Sequence, residues 1–287
     1  MLTDFIEFND VSFTYPAQEG DLDADGKQIV PSPVFDHFTG ALPGGFVSLI
    51  GPNGCGKSTF MLLASGRLHP QSGKVSLYKK DIAALPQEEK NLLASVIYQN
   101  MEFESDDKVK NLLAYVYSHG ALGGKAKGIL DSKKDLLSEL IDHFELSLVL
   151  EHGLKELSKG EIQRVLLAFS MLYGSASIFM DEPLFAMEER QKESALQYLK
   201  AFSKETKTTI YISMHELDLT RKYADNVLLF YPNRDMDFGS PEEVMTNEDL
   251  EKAYGVPVSM LKNQEDMTRE VLEQTAQAVL QVQKNTK

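Results

Sequence analysis

Short apolar runs, each of a length typical of a β-strand, recur along the chain between longer stretches with helical periodicity. Two early runs, 5–8 and 11–15, alternate apolar and polar residues, which is typical of half-buried strands. The later runs are more continuously apolar and lie at 46–50, 74–78, 94–99, 177–181, 208–213 and 227–231. Because strands and helices alternate, the pattern predicts an α/β fold in which helices cover the faces of a mainly parallel sheet.

The segment 100–160 differs from its surroundings, because its apolar residues recur at helical rather than strand spacing. A glycine-rich connection at 120–124 interrupts this pattern. We therefore predict an inserted α-helical subdomain here. The apolar positions that support it are Leu112, Leu113, Val116, Leu130, Leu136, Leu137, Leu140, Ile141 and Leu148.

The segment 246–287 is polar with a narrow apolar stripe, which predicts a helical C-terminal extension. The stripe consists of Met267, Val271, Leu272, Val279, Leu280 and Val282. Such a stripe packs on its own domain or forms a docking or dimer surface, and the sequence leaves both open.

A glycine-rich motif follows the apolar run 46–50 and precedes a helical pattern that begins at Thr59. The motif fits G-x-x-x-x-G-K-[ST], and its residues are Gly51, Pro52, Asn53, Gly54, Cys55, Gly56, Lys57, Ser58 and Thr59. Its glycines allow successive N–H groups to point at phosphate oxygens, and the helix N-terminus adds partial positive charge. We expect Lys57 to reach the β- and γ-phosphates and Ser58 to ligate Mg²⁺. The chain is therefore predicted to bind a nucleoside triphosphate.

Composition limits the compartment in which the protein is expected and the partners that it is expected to bind. The chain has 287 residues and a formal net charge of −14, so a basic face for nucleic acid is not expected. A single cysteine excludes an internal disulfide and indicates a reducing compartment. We expect no secretory leader, and no apolar run reaches the roughly 20 residues of a membrane-spanning helix. The sequence thus predicts a cytoplasmic protein that reaches a membrane only through a partner.

The acidic stretch 19–26 begins like a calcium-binding loop, with the pattern D-x-D-x-D-G. Ser32 stands at the twelfth position, where such a loop needs a bidentate glutamate. A solvated hairpin tip accounts for the same residues without a metal, and it is the interpretation that we favour.

In their order along the chain, these motifs resemble the ATP-binding cassette (ABC) nucleotide-binding domains over residues 4–245. Besides the phosphate loop, the similarity rests on Tyr15, Gln99, the segment 157–165, Asp181-Glu182-Pro183 and His215. The resemblance implies a P-loop NTPase core with a mainly parallel sheet, an antiparallel β edge subdomain and an inserted α-helical subdomain. It divides the chain into an ATP-binding domain at 1–245, with the insertion at 100–160, and the extension at 246–287.

The resemblance assigns a role to each of these residues. Tyr15 would stack on adenine, and Gln99 would touch Mg²⁺ or the attacking water. Asp181, at the end of an apolar run, would orient Mg²⁺. Glu182 would be the general base, and His215 would hold the γ-phosphate and the water in line.

The segment around Ser158 resembles the ABC signature, which opens a second helix. Ser158 and the amides from Gly160 would face the γ-phosphate of a second subunit, so the resemblance implies a head-to-tail dimer with two ATP molecules. Lys159, Glu161 and the segment 184–188 depart from the family pattern. We hypothesise that the site completed by this face hydrolyses ATP slowly, or that Lys159 contacts phosphate. Unchanged turnover of a Lys159→Gly variant in the assembled complex would contradict both ideas.

Cys55 lies near Lys57 and a helix N-terminus, and both features favour a thiolate. We therefore expect a thiol alkylator to block nucleotide binding and ATP to protect. A small residue that merely fits the loop is the alternative interpretation.

Two functions are consistent with the resemblance. Residues 238–246 resemble the closing turn of transporter ATPases, and 249–258 resembles the tail of subunits that import iron chelates, cobalamin or metals. This implies an ATPase subunit on the inner face of the cell membrane. Its partners would be membrane-spanning subunits, a second nucleotide-binding subunit and, in an importer, a solute-capture protein. The alternative is a soluble ABC ATPase of iron–sulfur cluster assembly, in which a glutamate also stands at the position of Glu161.

Overall fold

The computed structural model describes residues 4–17, 31–99, 101 and 105–261. The strands in these ranges are β1 (Asp4–Phe13), β2 (Phe35–Pro43), β3 (Phe46–Ile50), β4 (Ser72–Leu77), β5 (Lys80–Asp81), β6 (Ala94–Ile97), β7 (Ser177–Asp181), β8 (Thr209–Ser213), β9 (Asn226–Phe230) and β10 (Met236–Gly239). The α-helices are α1 (Lys57–Ala64), α2 (Gln87–Leu93), α3 (Val109–His119), α4 (Leu136–His143), α5 (Lys159–Tyr173), α6 (Glu189–Thr206), α7 (Leu217–Tyr223), α8 (Pro241–Val244) and α9 (Asn247–Tyr254).

The strands form two sheets. The larger sheet has the order β10-β9-β3-β8-β7-β6, and all its pairs are parallel except β10 with β9. The smaller sheet is antiparallel, with the order β2-β1-β4-β5. This arrangement confirms the predicted α/β fold with a mainly parallel sheet and an antiparallel edge subdomain.

Strand β3 lies inside the larger sheet, and its side chains pack on both faces. Phe46 belongs to the apolar cluster that contains α5 and α6, whereas Val47 and Leu49 belong to the cluster under the antiparallel sheet. All residues of β3 are buried. Burial on both faces explains why this stretch of sequence is continuously apolar rather than alternating.

The N-terminal strands differ from the prediction. The runs 5–8 and 11–15 form one strand, β1, whose register shifts between Phe8 and Val11. The strand ends at Phe13, so Tyr15 lies beyond it. Strand β2 was not predicted, because its buried positions are too widely spaced to give a strand signal.

The segment between β6 and β7 is helical, as predicted, and Leu113, Val116 and Leu140 are buried in the main core. Two predicted stripe positions are wrong, because Leu130 and Leu148 lie outside the helices and are 61% and 87% exposed. Both leucines occupy connections on either side of α4, where the backbone does not keep helical spacing.

A buried carboxylate on α4 fixes the connection that contains Leu130. Glu139 is 5% exposed. It accepts hydrogen bonds from the backbone N–H groups of Ile129 at 2.6 Å and Asp131 at 2.6 Å, and from that of Leu130 at 3.1 Å. The Tyr198 hydroxyl on α6 donates to the same carboxylate at 2.5 Å. Glu139 therefore joins the inserted segment to a helix that packs on the parallel sheet.

Some predictions fall outside the described residues, namely the acidic stretch 19–26 and the apolar stripe that begins at Met267. In the part of the chain that the structure describes, no helix is long and apolar enough to cross a membrane. The same residues contain no cluster of three or more His, Cys, Asp or Glu side chains arranged to hold a metal ion. The proposed domain boundaries at 100, 160 and 245 stay predictions.

Candidate functional site

The phosphate loop joins β3 to α1, and glycines shape it. Gly51, Gly54 and Gly56 have φ angles of 140°, 76° and 112°, which side-chain-bearing residues rarely adopt. At Gly51 a Cβ atom would also lie 2.6 Å from the carbonyl oxygen of Phe230. The tight turn that the motif predicts is therefore present, and α1 begins at Lys57, two residues before the predicted start.

The Lys57 side chain folds back against the phosphate loop. Its side chain is 6% exposed, and its Nζ donates to the carbonyl oxygens of Gly51 at 2.8 Å and Pro52 at 3.0 Å. The charge of this buried ammonium is thus held where a triphosphate would lie against the loop. Ser58, the next residue, is exposed.

Tyr15 lies beside the first turn of α1. Its hydroxyl and the Thr59 hydroxyl are 3.1 Å apart, and its ring packs edge-on against Phe13 with centroids 4.9 Å apart. The Tyr15 side chain is 42% exposed. Tyr15 is therefore a partly exposed aromatic residue next to the phosphate loop, and its stacking on adenine stays a prediction.

Ser213, the last residue of β8, forms hydrogen bonds with both Asp181, the last residue of the neighbouring strand β7, and Glu182, which follows it. The Ser213 hydroxyl donates to Asp181 Oδ1 at 2.7 Å and accepts from the Glu182 N–H at 2.8 Å. Ser213 is fully buried. The sequence analysis assigned no role to Ser213, although its register opposite Asp181 follows from parallel pairing of the two strands.

Glu182 is held between two side chains that the sequence analysis named separately. His215 Nε2 donates to Glu182 Oε1 at 2.7 Å, and Gln99 Nε2 donates to Glu182 Oε2 at 2.6 Å. The hydrogen bond from His215 is the largest influence on the carboxyl group and keeps its pKa below the ordinary value, although burial opposes this shift. Gln99 lies two residues beyond β6 rather than at its last position.

The side chain of Cys55 is not poised as a thiolate. It is 4% exposed, and burial raises the pKa of the thiol, although the charges of Lys57 and Arg234 act in the opposite direction. The prediction of a reactive thiolate is therefore wrong, because desolvation outweighs the nearby positive charge.

Two further residues contact the phosphate loop and were missed. The Arg234 guanidinium donates to the Gly54 carbonyl at 2.9 Å, and the Gly51 N–H donates to the Tyr254 hydroxyl at 3.0 Å. Both residues are far from the loop in sequence. Tyr254 lies in the segment 249–258, but neither its resemblance nor any other motif predicted a contact with the loop.

The signature segment forms a separate surface. Ser158 caps α5, and its hydroxyl and amide both donate to the Glu161 carboxylate, at 2.6 and 2.8 Å. Gly160 lies close to the Ala186 carbonyl, where a Cβ atom would approach within 2.6 Å. Among the described residues no hydrogen bond joins Ser158 or Gly160 to the phosphate loop of the same chain.

A phosphate loop that holds its lysine, together with a carboxylate between a glutamine and a histidine, defines a P-loop NTPase site. The family described as "ABC transporter" matches residues 40–185, and the chain belongs to this family. It is the ATP-hydrolysing subunit of a transporter, as the sequence analysis predicted. These matches give no support to the iron–sulfur assembly alternative.

Relatives of known function cover most of the chain. The petrobactin import ATP-binding protein FatE of Bacillus anthracis is 27% identical over 76% of this chain and 86% of its own length. The hemin import ATP-binding protein HmuV of Rhizobium meliloti is 28% identical over 80% of this chain and 87% of its own.

Solved structures share the fold. An inward-facing metal-chelate type ABC transporter has a TM-score of 0.64 at 20% identity and covers 90% of each chain. A dimeric ATP-binding cassette bound to ADP and Pi has a TM-score of 0.62 at 20% identity, over 78% of this chain and 94% of that one.

Proposed function

We propose that this chain powers the import of an iron chelate or another metal chelate. The relatives named above are import ATP-binding proteins for petrobactin and hemin. The segment 249–258, which resembles the tail of such subunits, is also part of the folded core here, because Tyr254 reaches the phosphate loop. We infer the class of cargo from the named import relatives together with the segment 249–258.

The observation that carries the catalytic assignment is the position of Glu182 between His215 and Gln99. Hydrogen bonds from His215 and Gln99 orient the Glu182 carboxylate, so it is placed to accept a proton from water as the general base. His215 positions that carboxylate and the γ-phosphate. Lys57 binds the β- and γ-phosphates, and Tyr15 stacks on adenine.

The donor set also fits Mg²⁺, which prefers oxygen ligands. Ser58 offers an exposed hydroxyl, and Asp181 is oriented by Ser213. Gln99 uses its amide nitrogen for Glu182, which leaves its carbonyl oxygen as the atom suited to a cation. When bound, Mg²⁺ would neutralise charge on the transferred phosphoryl group.

We further propose a head-to-tail dimer of nucleotide-binding subunits. Ser158 and the amides from Gly160 lie on a surface that makes no hydrogen bond to the loop of the same chain among the described residues. A facing subunit would bring its own γ-phosphate to this helix N-terminus. The assembly would lie on the cytoplasmic face of the membrane, bound to membrane-spanning subunits and served by a solute-capture protein.

The test is an affinity purification from native cells in mild detergent, with partners identified by mass. The bait is the Glu182→Gln variant, which removes the base and retains ATP. Its matched control is Glu205→Gln, an exposed carboxylate at the far end of α6. We expect a multi-span membrane protein with both baits, and greater recovery with Glu182→Gln in the presence of ATP.

The recovered complex is then reconstituted in vesicles and supplied with a ferric chelate. ATP-dependent uptake supports the proposal. Recovery of soluble partners alone, or a complex that moves no metal chelate in any orientation, contradicts it.

A further inference from the structure

The first residue of the phosphate loop uses both of its backbone polar groups within the protein. Gly51 is buried, its N–H donates to the Tyr254 hydroxyl at 3.0 Å, and its carbonyl accepts from Lys57 Nζ at 2.8 Å. The amide of Gly51 is therefore directed at Tyr254 rather than at a ligand. Through this single residue, the end of α9 is linked to the lysine that binds phosphate.

A second contact holds the middle of the loop. Arg234 lies in the connection between β9 and β10, and its guanidinium donates to the Gly54 carbonyl at 2.9 Å. Arg234 has a φ of 75°, a conformation that costs free energy in a residue with a side chain. The hairpin holds this conformation, since the Arg234 N–H donates to Tyr231 and the Tyr231 N–H donates to Asp235.

Both contacts come from elements that pack firmly on the sheet. Leu250 and Ala253 of α9 are buried in a cluster with Ile50, the residue that immediately precedes the loop. Tyr231 is in the same cluster, and Lys252 places its ammonium 4.4 Å from the centre of the Tyr231 ring. The helix and the hairpin therefore form one support next to the strand that carries the loop.

We propose that Tyr254 and Arg234 are positioning residues for ATP, and that they keep the phosphate loop in its binding conformation. The proposal rests on ATP binding at this loop. Affinity falls in proportion to the fraction of molecules whose loop is in the binding conformation. A net hydrogen bond changes an equilibrium constant by roughly three- to tenfold. Loss of either contact therefore weakens ATP binding by up to about that factor, and the full factor is reached when the remaining contacts no longer hold most molecules in the binding conformation.

The experiment uses the full chain and the variants Tyr254→Phe and Arg234→Gly. Tyr254→Phe removes only the hydroxyl. Arg234→Gly removes the guanidinium and also relieves the positive φ, so the hairpin itself is not weakened. Tyr117→Phe is the matched control, because its hydroxyl donates to the Ala126 carbonyl at 2.7 Å, in the inserted segment between α3 and α4.

For each variant we measure the Kd for ATP, the Tm without nucleotide, and kcat and KM for hydrolysis. We expect Kd and KM to rise measurably, by up to roughly tenfold, for Tyr254→Phe and Arg234→Gly, with kcat at saturation near that of the unchanged chain. Tyr117→Phe should lower Tm without changing Kd. Arg234→Lys, which retains a donor, should recover part of the affinity.

Unchanged Kd values for Tyr254→Phe and Arg234→Gly would overturn the proposal, even if Tm falls as in the control. If the variants show unchanged Kd values and the protein without substitutions binds ATP, only this proposal fails, and the ATPase assignment stands. If the protein without substitutions fails to bind ATP, both the positioning proposal and the ATP-binding function on which it rests are overturned.

Discussion

Glu182, the proposed general base, has an unusual backbone conformation. Its φ is 49°, a value that is uncommon in residues other than glycine. Three hydrogen bonds hold it there, from His215 and Gln99 to its carboxylate and from its own N–H to Ser213. Because the carboxylate cannot move without breaking these contacts, the proposed base is fixed in position before substrate arrives.

Cys55 provides a test of burial at the loop. Since it is the only cysteine, alkylation by iodoacetamide reports on this one site. We expect the native thiol to react at neutral pH about tenfold or more slowly than the thiol in urea, because burial raises its pKa and blocks access. Mass spectrometry of timed samples gives both rates, and Cys55→Ser supplies the blank. Equal rates in the native and unfolded chain would contradict this expectation.

At the scale of elements, the inserted segment depends on a contact that hydrophobic patterns do not reveal. Burial of Glu139 would by itself raise its pKa, but hydrogen bonds from Tyr198 and the backbone amides outweigh it and keep the pKa below 4.5. Charged hydrogen bonds of this kind are among the stronger ones in proteins.

We expect Glu139→Gln to lower the free energy of unfolding by about 2–4 kcal/mol at pH 7, because an amide nitrogen would face backbone donors. Tyr198→Phe, which removes a single hydrogen-bond donor, should lower the free energy of unfolding by about 1–2 kcal/mol. Urea denaturation of both variants and the unchanged chain gives these values.

The effect of Glu139→Gln should also depend on pH. A carboxyl group whose folded pKa is depressed adds stability above its unfolded pKa and loses it as pH falls through the folded value. The difference in free energy of unfolding between the Glu139→Gln variant and the unchanged chain should therefore become smaller below about pH 4.5. A difference that stays constant down to acid unfolding would show that the charge of Glu139 is not what stabilises the connection.

The comparison of sequence and structure is clearest at the same scale. Strand β3 and the phosphate loop were predictable because burial and phosphate binding both restrict local residue types. The family resemblance named Gln99, Glu182 and His215 one by one, and the structure shows that their side chains meet. Ser213, Arg234 and Tyr254 were not predictable, since their contacts depend on register and packing between distant segments. Leu130 and Leu148 misled the analysis because exposed leucines can imitate helical spacing.

At the scale of the whole molecule, the residues of the proposed composite site lie on two separate surfaces of the chain. One surface has Lys57 of the phosphate loop and Glu182, which follows β7, while the N-terminus of α5 has no hydrogen bond to that loop among the described residues. We therefore expect a second copy of this chain to serve as the facing subunit.

The Glu182→Gln variant with ATP and Mg²⁺ should elute in size-exclusion chromatography with light scattering at about twice the mass of the 32.1 kDa chain. Lys57→Ala under the same conditions should remain monomeric, because it loses a phosphate contact. A Glu182→Gln chain that binds ATP and stays monomeric would indicate that the facing subunit is a different protein.

The position of β3 in the sheet also determines when the site can form during synthesis. Val47 pairs with Tyr211 of β8 and Asn226 of β9, so both neighbours of β3 are made long after it. Because a nascent chain emerges from its N-terminus, the strand that carries the phosphate loop cannot join its sheet until β8 and β9 have been made. Tyr254 is made later still. ATP therefore cannot assist folding until these distant segments have been synthesised, and until then the apolar strand β3 has no partner in the sheet.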